Sequence, residues 1–226
     1  GITFLINFLN LSLSLFMNIR EYWEKEWLRH PGKLVSSFYS FLYSISINAS
    51  EAILDVGCGD WKFADPLLKR GKWIVGCDIS SNALKRAQKN VKSYENKTDL
   101  VQCDARYLPF RDNAFERVVS VEALSLIGDD YEKVFEEMRR VTKRYITFNV
   151  SHKEELYTLR ERRRENSLKS LKYIVFDERE IEMLLGKLGL IVEVMRVFTK
   201  GEMYGDRIPP PYDNLKDAIF VTAKKI

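Results

Sequence analysis

Residues 53–63 read ILDVGCGDWKF. Ile53, Leu54 and Val56 have the apolar, β-branched character of a short buried strand. Gly57 and Gly59 supply the positive φ and close backbone approach that a tight turn beneath a ligand demands. A helical pattern follows from Trp61 to Gly71. Strand, glycine turn and helix are the opening unit of an α/β sheet. In such sheets ligands bind outside the carboxyl ends of the strands.

Outward from this unit the pattern repeats. WIVGCDIS (73–80) reads as a second strand and SSNALKRAQKNV (80–91) as a helix with Ser80 or Ser81 at its N-cap. DLVQCDA (99–105) and FERVVSVEA (115–123) read as the third and fourth strands, DDYEKVFEEMRRVT (129–142) as a helix and RYITFNV (144–150) as the fifth strand. DEREIEMLLGKLG (177–189) is an amphipathic helix with Asp177 placed to cap it. LIVEVMRVF (190–198) and DAIFVTAKK (217–225) follow as strands, with a Gly- and Pro-rich connection between them that fits no helix. Alternating units of this kind build a mostly parallel sheet covered on both faces, closed by an antiparallel pair.

Composition agrees with a globular domain. The 226 residues are 46% hydrophobic and 30% charged, with a net charge of +4, which permits a nucleic-acid partner without arguing for one. Three cysteines, none in metal-like spacing, indicate no disulfide framework, no metal site and a reducing, cytoplasmic setting. Residues 1–16 carry no charged side chain. The stretch is short for a membrane span and is broken by Asn7, Asn10, Ser12 and Ser14, so no stable span is expected. Either Met17 is the natural start or the extension packs on the domain or on a partner chain. Residues 17–48 read as a helical cap carrying Tyr22, Trp23 and Trp27, and residues 49–226 as the main domain.

Three acids or turns fall at the ends of successive strands. Gly57 and Gly59 follow the first, Asp78 ends the second and Asp104 ends the third. Asp78 is placed to accept hydrogen bonds from both hydroxyls of a ribose. Asp104, with the backbone of Ala105, is placed to read an exocyclic adenine amine. Together they converge on an adenosine. A nicotinamide dinucleotide fits less well, because the last glycine of G-x-G-x-x-G is Lys62. No Gly-Lys-Ser/Thr phosphate loop is present, and Asp55 beside the turn opposes a diphosphate.

ILDVGCGD, IVGCDIS, VQCDARYLPFRDNAFERVVSVEAL and FDEREIEMLLGKLGLIVEVMRV together resemble the class I S-adenosylmethionine-dependent methyltransferases of the type 11 kind, from about Glu51 onward. The resemblance implies a Rossmann-like, seven-stranded α/β sheet of order 3-2-1-4-5-7-6 with the last strand antiparallel. It implies S-adenosyl-L-methionine as cofactor, held by Asp55, Gly57, Cys58, Gly59, Asp78, Ile79, Asp104, Ala105, Ser120 and Val121. Glu122 and His152 are the candidate catalytic side chains. Tyr22, Trp23 and Trp61 are expected to shape an acceptor pocket, with Trp61 against the aromatic residues of the cap.

Three features depart from the family. Trp61 stands where a third glycine is usual, EALSLI lacks the common histidine, and no Pro-Gly-Gly turn precedes the fifth strand. PPPYDN (209–214) lies before the last strand, the wrong place for a DNA-adenine motif. The basic run RERRREN (160–166) is interleaved with acids and reads as a solvated helix face. The expected function is methyl transfer to a small molecule. RNA or protein as acceptor, or a non-catalytic cofactor-binding protein, are the alternatives. Sequence leaves the oligomeric state open.

Overall fold

The computed structural model describes residues 52–155, 173–204 and 212–226, together with five helical positions near the N-terminus: Arg20, Glu21, Glu24, Lys25 and Leu28. The strands are β1 (Ala52–Val56), β2 (Trp73–Asp78), β3 (Thr98–Gln102), β4 (Phe115–Ser120), β5 (Thr142–His152), β6 (Val175–Phe176), β7 (Leu190–Thr199) and β8 (Lys216–Lys225). They form one sheet of order β3-β2-β1-β4-β5-β8-β7, with β6 paired to the far end of β5. Strands β1 to β6 pair in parallel, and β8 runs antiparallel to both β5 and β7. This is the expected order once β6 is set aside. That two-residue strand is too short to leave an alternating pattern in sequence.

Helices α1 (Asp65–Arg70), α2 (Ser81–Asn90), α3 (Tyr131–Val141), α4 (Glu178–Lys187) and α5 (Lys200–Tyr204) cover the sheet and its edge. Two expectations need correction. The first helix begins at Asp65, not Trp61, because Trp61 has left-handed φ and Pro66 fits only the first turn of a helix. A five-residue helix, α5, does lie between β7 and β8. It is closed by local bonds, including the Thr199 N–H to Glu202 at 2.8 Å, and is too short to show a periodicity.

Alternation along the central strands divides the core. Leu54 and Val56 face one side with Val118, Ile146 and Phe148, packed by Val134, Phe135 and Met138 of α3 and Ile181 and Leu185 of α4. Phe135 meets Phe148 edge-on at 5.0 Å, an arrangement that contributes about 0.5–1.5 kcal/mol beyond area burial. Ile53 and Val119 face the other side, with Leu67 and Leu68 of α1, Ala87 of α2 and the Trp61 ring. Asp177 caps α4 as expected, in a reciprocal capping box with Glu180. Because β1 to β4 are parallel, the turns that follow them all emerge along one edge of the sheet, and the cleft lies there.

Candidate cofactor and acceptor site

The turn after β1 folds back over β2. The N–H groups of Gly57 and Cys58 both donate to the Cys77 carbonyl, at 2.8 and 3.0 Å. Gly57 has φ 71°, and a Cβ there would stand 2.4 Å from the Ala123 Cβ, so the close approach read from sequence is real. Gly59, at φ 57°, donates its N–H to Asp78 Oδ2 at 2.9 Å.

Asp78 is the hinge of the site. Its Oδ1 accepts from the Ser80 N–H at 2.9 Å, so a backbone donor holds each carboxylate oxygen. Burial pushes its pKa up to about 6, although the N–H groups of Ser80, Gly59 and Ile79 favour the charged form. A carboxylate offers about four lone-pair sites, so it retains capacity for a further donor.

A cavity opens in front of this carboxylate. Its floor is Val56, Gly57, Gly59 and Cys77. Asp78, Ile79, Cys103, Asp104, Ala105 and Arg106 line one side, and Glu122, Ala123, Leu126 and Ile127 line the other. Thus Gly57, Gly59, Asp78, Ile79, Asp104, Ala105 and Glu122 come together as expected. Asp55, Cys58, Ser120 and Val121 stand behind the wall. Ser120 Oγ donates to the Val56 carbonyl at 2.8 Å, tying β4 to β1, and Val121 is buried in the core. The Cys58 thiol is pushed well up by burial and by the charges of Asp78 and Asp55. That of Cys77 is raised by its hydrogen bond with Cys103 and by burial. Both remain neutral, in keeping with small buried hydrophobes.

Asp55 and Trp61 explain each other. Trp61 Nε1 donates to Asp55 Oδ2 at 2.7 Å, and the indole is 3% exposed. It lies across Gly76, where a Cβ would come within 2.5 Å of the ring. The indole therefore points beneath the turn, away from the cavity. Tyr22, Trp23 and Trp27 lie outside the described residues, as do 1–16 and the basic run 160–166. Whether Trp61 meets the aromatic cap is likewise outside them.

Three groups at the site escaped the sequence reading. Arg106 binds Asp104 through both Nε (3.1 Å) and Nη2 (2.8 Å) and reaches Asp130 at 2.5 Å. Burial works against its charge, and the two carboxylates outweigh that and raise its pKa. The Asp-x-Arg spacing was the available signal. Asn149, on β5, accepts the Glu122 N–H at 2.8 Å and donates to the Glu122 carboxylate. It fixes a residue whose φ of 58° is strained for a non-glycine side chain. Glu24, from the N-terminal helical positions, reaches the first turn of α2.

His152 is not on the cavity wall. It is 4% exposed, its Nε2 lies 3.1 Å from Glu178 and its Nδ1 accepts the Glu154 N–H at 3.1 Å. Both ring nitrogens are engaged, and the side chain pins β5 to the start of α4. Among the described residues no group of three or more His, Cys, Asp or Glu side chains is placed to hold a metal ion. No helix among them is long and apolar enough to cross a membrane.

Residues 54–145 match the family described as methyltransferase domain. The segment from β1 into β5, which carries the cleft, is thus similar to a methyltransferase domain. Over 102 residues it is 32% identical to methyltransferase GfsG of Streptomyces halstedii, covering 44% of this chain and 36% of that protein. Over 104 residues it is 35% identical to the demethylmenaquinone methyltransferase of Oceanobacillus iheyensis, covering 44% of this chain and 43% of that one. The matched region thus spans less than half the length of these relatives. Magnesium protoporphyrin IX methyltransferase from Synechocystis, solved with bound S-adenosylhomocysteine, shares the fold at a TM-score of 0.62 and 17% identity. The likeness covers 84% of this chain and 81% of that one.

Proposed function

We propose that this protein is an S-adenosylmethionine-dependent methyltransferase acting on a small-molecule acceptor. The observation that carries the reading is Asp78. It closes β2 with each oxygen fixed by a backbone N–H, and it lines a cavity that two positive-φ glycines also wall. That donor and acceptor set suits an adenosyl group: Asp78 for the ribose hydroxyls, Ile79 against the adenine face, and Asp104 with Ala105 for its amine. The Arg106 fork takes up part of the Asp104 carboxylate and steadies it. Gly57 and Gly59 would underlie the methionine end, with Asp55, Cys58, Ser120 and Val121 supporting the turn from behind.

When bound, S-adenosylmethionine supplies a methyl group on a sulfonium, ready for in-line displacement. What the chain must do is align and exclude water, and alignment accounts for on the order of 7–11 kcal/mol in favourable cases. Glu122, held by Asn149 on the cavity wall, is the side chain positioned to orient an acceptor. His152 is not carried into this proposal, since its ring is spent on Glu178 and Glu154. The names of the relatives, acting on menaquinone precursors and a porphyrin, support a small acceptor.

The test is calorimetric titration with S-adenosylhomocysteine. Asp78→Ala loses charge-assisted hydrogen bonds of about 1.5–3 kcal/mol each, so affinity should drop roughly tenfold or more. Wild-type affinity in that variant rejects the assignment. Salt-sensitive retention of RNA would move the acceptor class from small molecule to nucleic acid.

A further inference from the structure

The first turn of α2 is capped from a distance. Ser80 is its N-cap and accepts the Ala83 N–H at 3.2 Å. The other two free N–H groups of that turn, from Ser81 and Asn82, both go to the Glu24 carboxylate, at 2.7 and 3.1 Å. Ser80 Oγ donates to the same carboxylate at 3.0 Å, and Asn82 Nδ2 donates to the Glu24 carbonyl at 3.3 Å. No acid lies in the first turn of α2 itself, so Glu24 supplies the negative charge that the helix dipole favours there. Burial raises its pKa, but the N–H donors outweigh this and hold it below the ordinary value, so the group is charged at neutral pH.

This contact begins two residues after the cofactor acid. Ser80 gives its hydroxyl to Glu24 and its backbone N–H to Asp78. We propose that Glu24 is a positioning residue for the adenosyl ligand. It caps the 80–82 turn from far away in sequence and so sets that turn against Asp78. The proposal rests on the reading of Asp78 as the ribose acceptor.

Glu24 also acts through charge. The groups around Asp78 are Glu24 from the N-terminal helix and the neutral thiols of Cys58 and Cys77. Across the cavity stands Asp104 with its Arg106 partner, and Lys85 and Arg86 lie a turn further along α2. Of these charges Glu24 bears most on the Asp78 carboxyl, raising it in addition to burial. A carboxylate accepts ribose hydroxyls better than a carboxylic acid, so binding weakens as pH falls through the Asp78 pKa. Removing the Glu24 charge lowers that pKa and moves the acid limb of binding to lower pH.

The experiment titrates S-adenosylhomocysteine into wild-type, Glu24→Ala and Glu24→Gln full-length protein across about pH 5 to 8. Circular dichroism confirms that each variant is folded. At the alkaline end Glu24→Ala should bind roughly fivefold or more weakly and release ligand faster, with Glu24→Gln between it and wild type. Both variants should show an acid midpoint below that of wild type. Wild-type affinity together with a wild-type midpoint overturns the proposal. A loss that is equal at every pH, with the midpoint unmoved, also overturns it, because it assigns Glu24 to packing alone. Wild-type protein that binds no S-adenosylhomocysteine rejects the adenosyl reading itself, which separates the two failures.

Discussion

At Trp61 a bulky residue holds a backbone conformation, φ 53°, that glycine adopts more readily. The offsetting interactions are its bond to Asp55 and the space left by Gly76. Trp61→Phe keeps most of the ring but leaves a fully buried carboxylate oxygen without its indole donor. The expected cost is about 1–3 kcal/mol, read as a lower urea midpoint. Gly76→Ala forces a methyl group into the indole and should cost a similar 1–3 kcal/mol. If either variant melts like wild type, the Asp55–Trp61–Gly76 arrangement is not what holds the turn. Sequence marked Trp61 as a departure at the right position. It did not disclose the compensation, because Asp55, Trp61 and Gly76 meet only once β1 and β2 are paired.

Between β3 and β4 the chain forms an irregular segment that carries Asp104 to Arg106, and α3 holds it in place. Arg140 donates to the carbonyls of Leu108 and Phe110 at 2.9 and 2.7 Å, and Glu137 accepts the Leu108 N–H at 2.8 Å. Arg140 and Glu137 also bond each other, at 2.7 and 2.9 Å. The hydrogen bonds from Arg140 hold the Glu137 carboxyl below the ordinary value. Its stabilisation is therefore complete above the unfolded carboxyl pKa and is lost as pH falls through the lower folded one. Glu137→Gln should destabilise by about 1–3 kcal/mol at neutral pH. The gap to wild type should shrink below about pH 4, which denaturant melts at a series of pH values would reveal. A gap that is constant with pH contradicts the ionic account. The amphipathic pattern of α3 was readable, but its use as a clamp on a loop was not. Glu137 and Arg140 look like ordinary surface charges until the loop they grip is placed.

For the molecule as a whole, the Asp78 carboxyl couples folding, ligand and pH. Its folded pKa of about 6 stands above the unfolded value of about 3.9. Between those values the ligand-free folded state holds a proton that the unfolded chain has released, so stability falls as pH rises through that window. An adenosyl ligand that prefers the charged form reverses this cost where Asp78 is ionised. At a hundredfold excess over its dissociation constant a ligand adds about 2.7 kcal/mol. A chain of this size should then melt roughly 5–10 °C higher at alkaline pH, and by less near pH 5. A thermal shift that does not depend on pH would detach Asp78 from the ligand. At this scale the sequence was most legible. Alternating strands and helices carried a mostly parallel sheet closed by an antiparallel pair, the family resemblance carried its order, and acids at strand ends marked one side of the cleft. The other side was legible only at Glu122, because Leu126 and Ile127 join it through the turn after β4 and Asn149 braces Glu122 from β5, not through any spacing.

The position of β8 has a consequence for how this chain is made. β8 comes last among the strands in synthesis, yet it is inserted between β5 and β7, bonded antiparallel to both. Among the described residues β7 has no other neighbour in the sheet. At about 5–20 residues per second, β7 leaves synthesis seconds before its partner exists. Until then the nascent chain carries two open strand edges, on β5 and β7, each able to pair with another chain. The same strand that completes the sheet thus makes the unfinished protein prone to association, and sets the period in which a chaperone would be of most use.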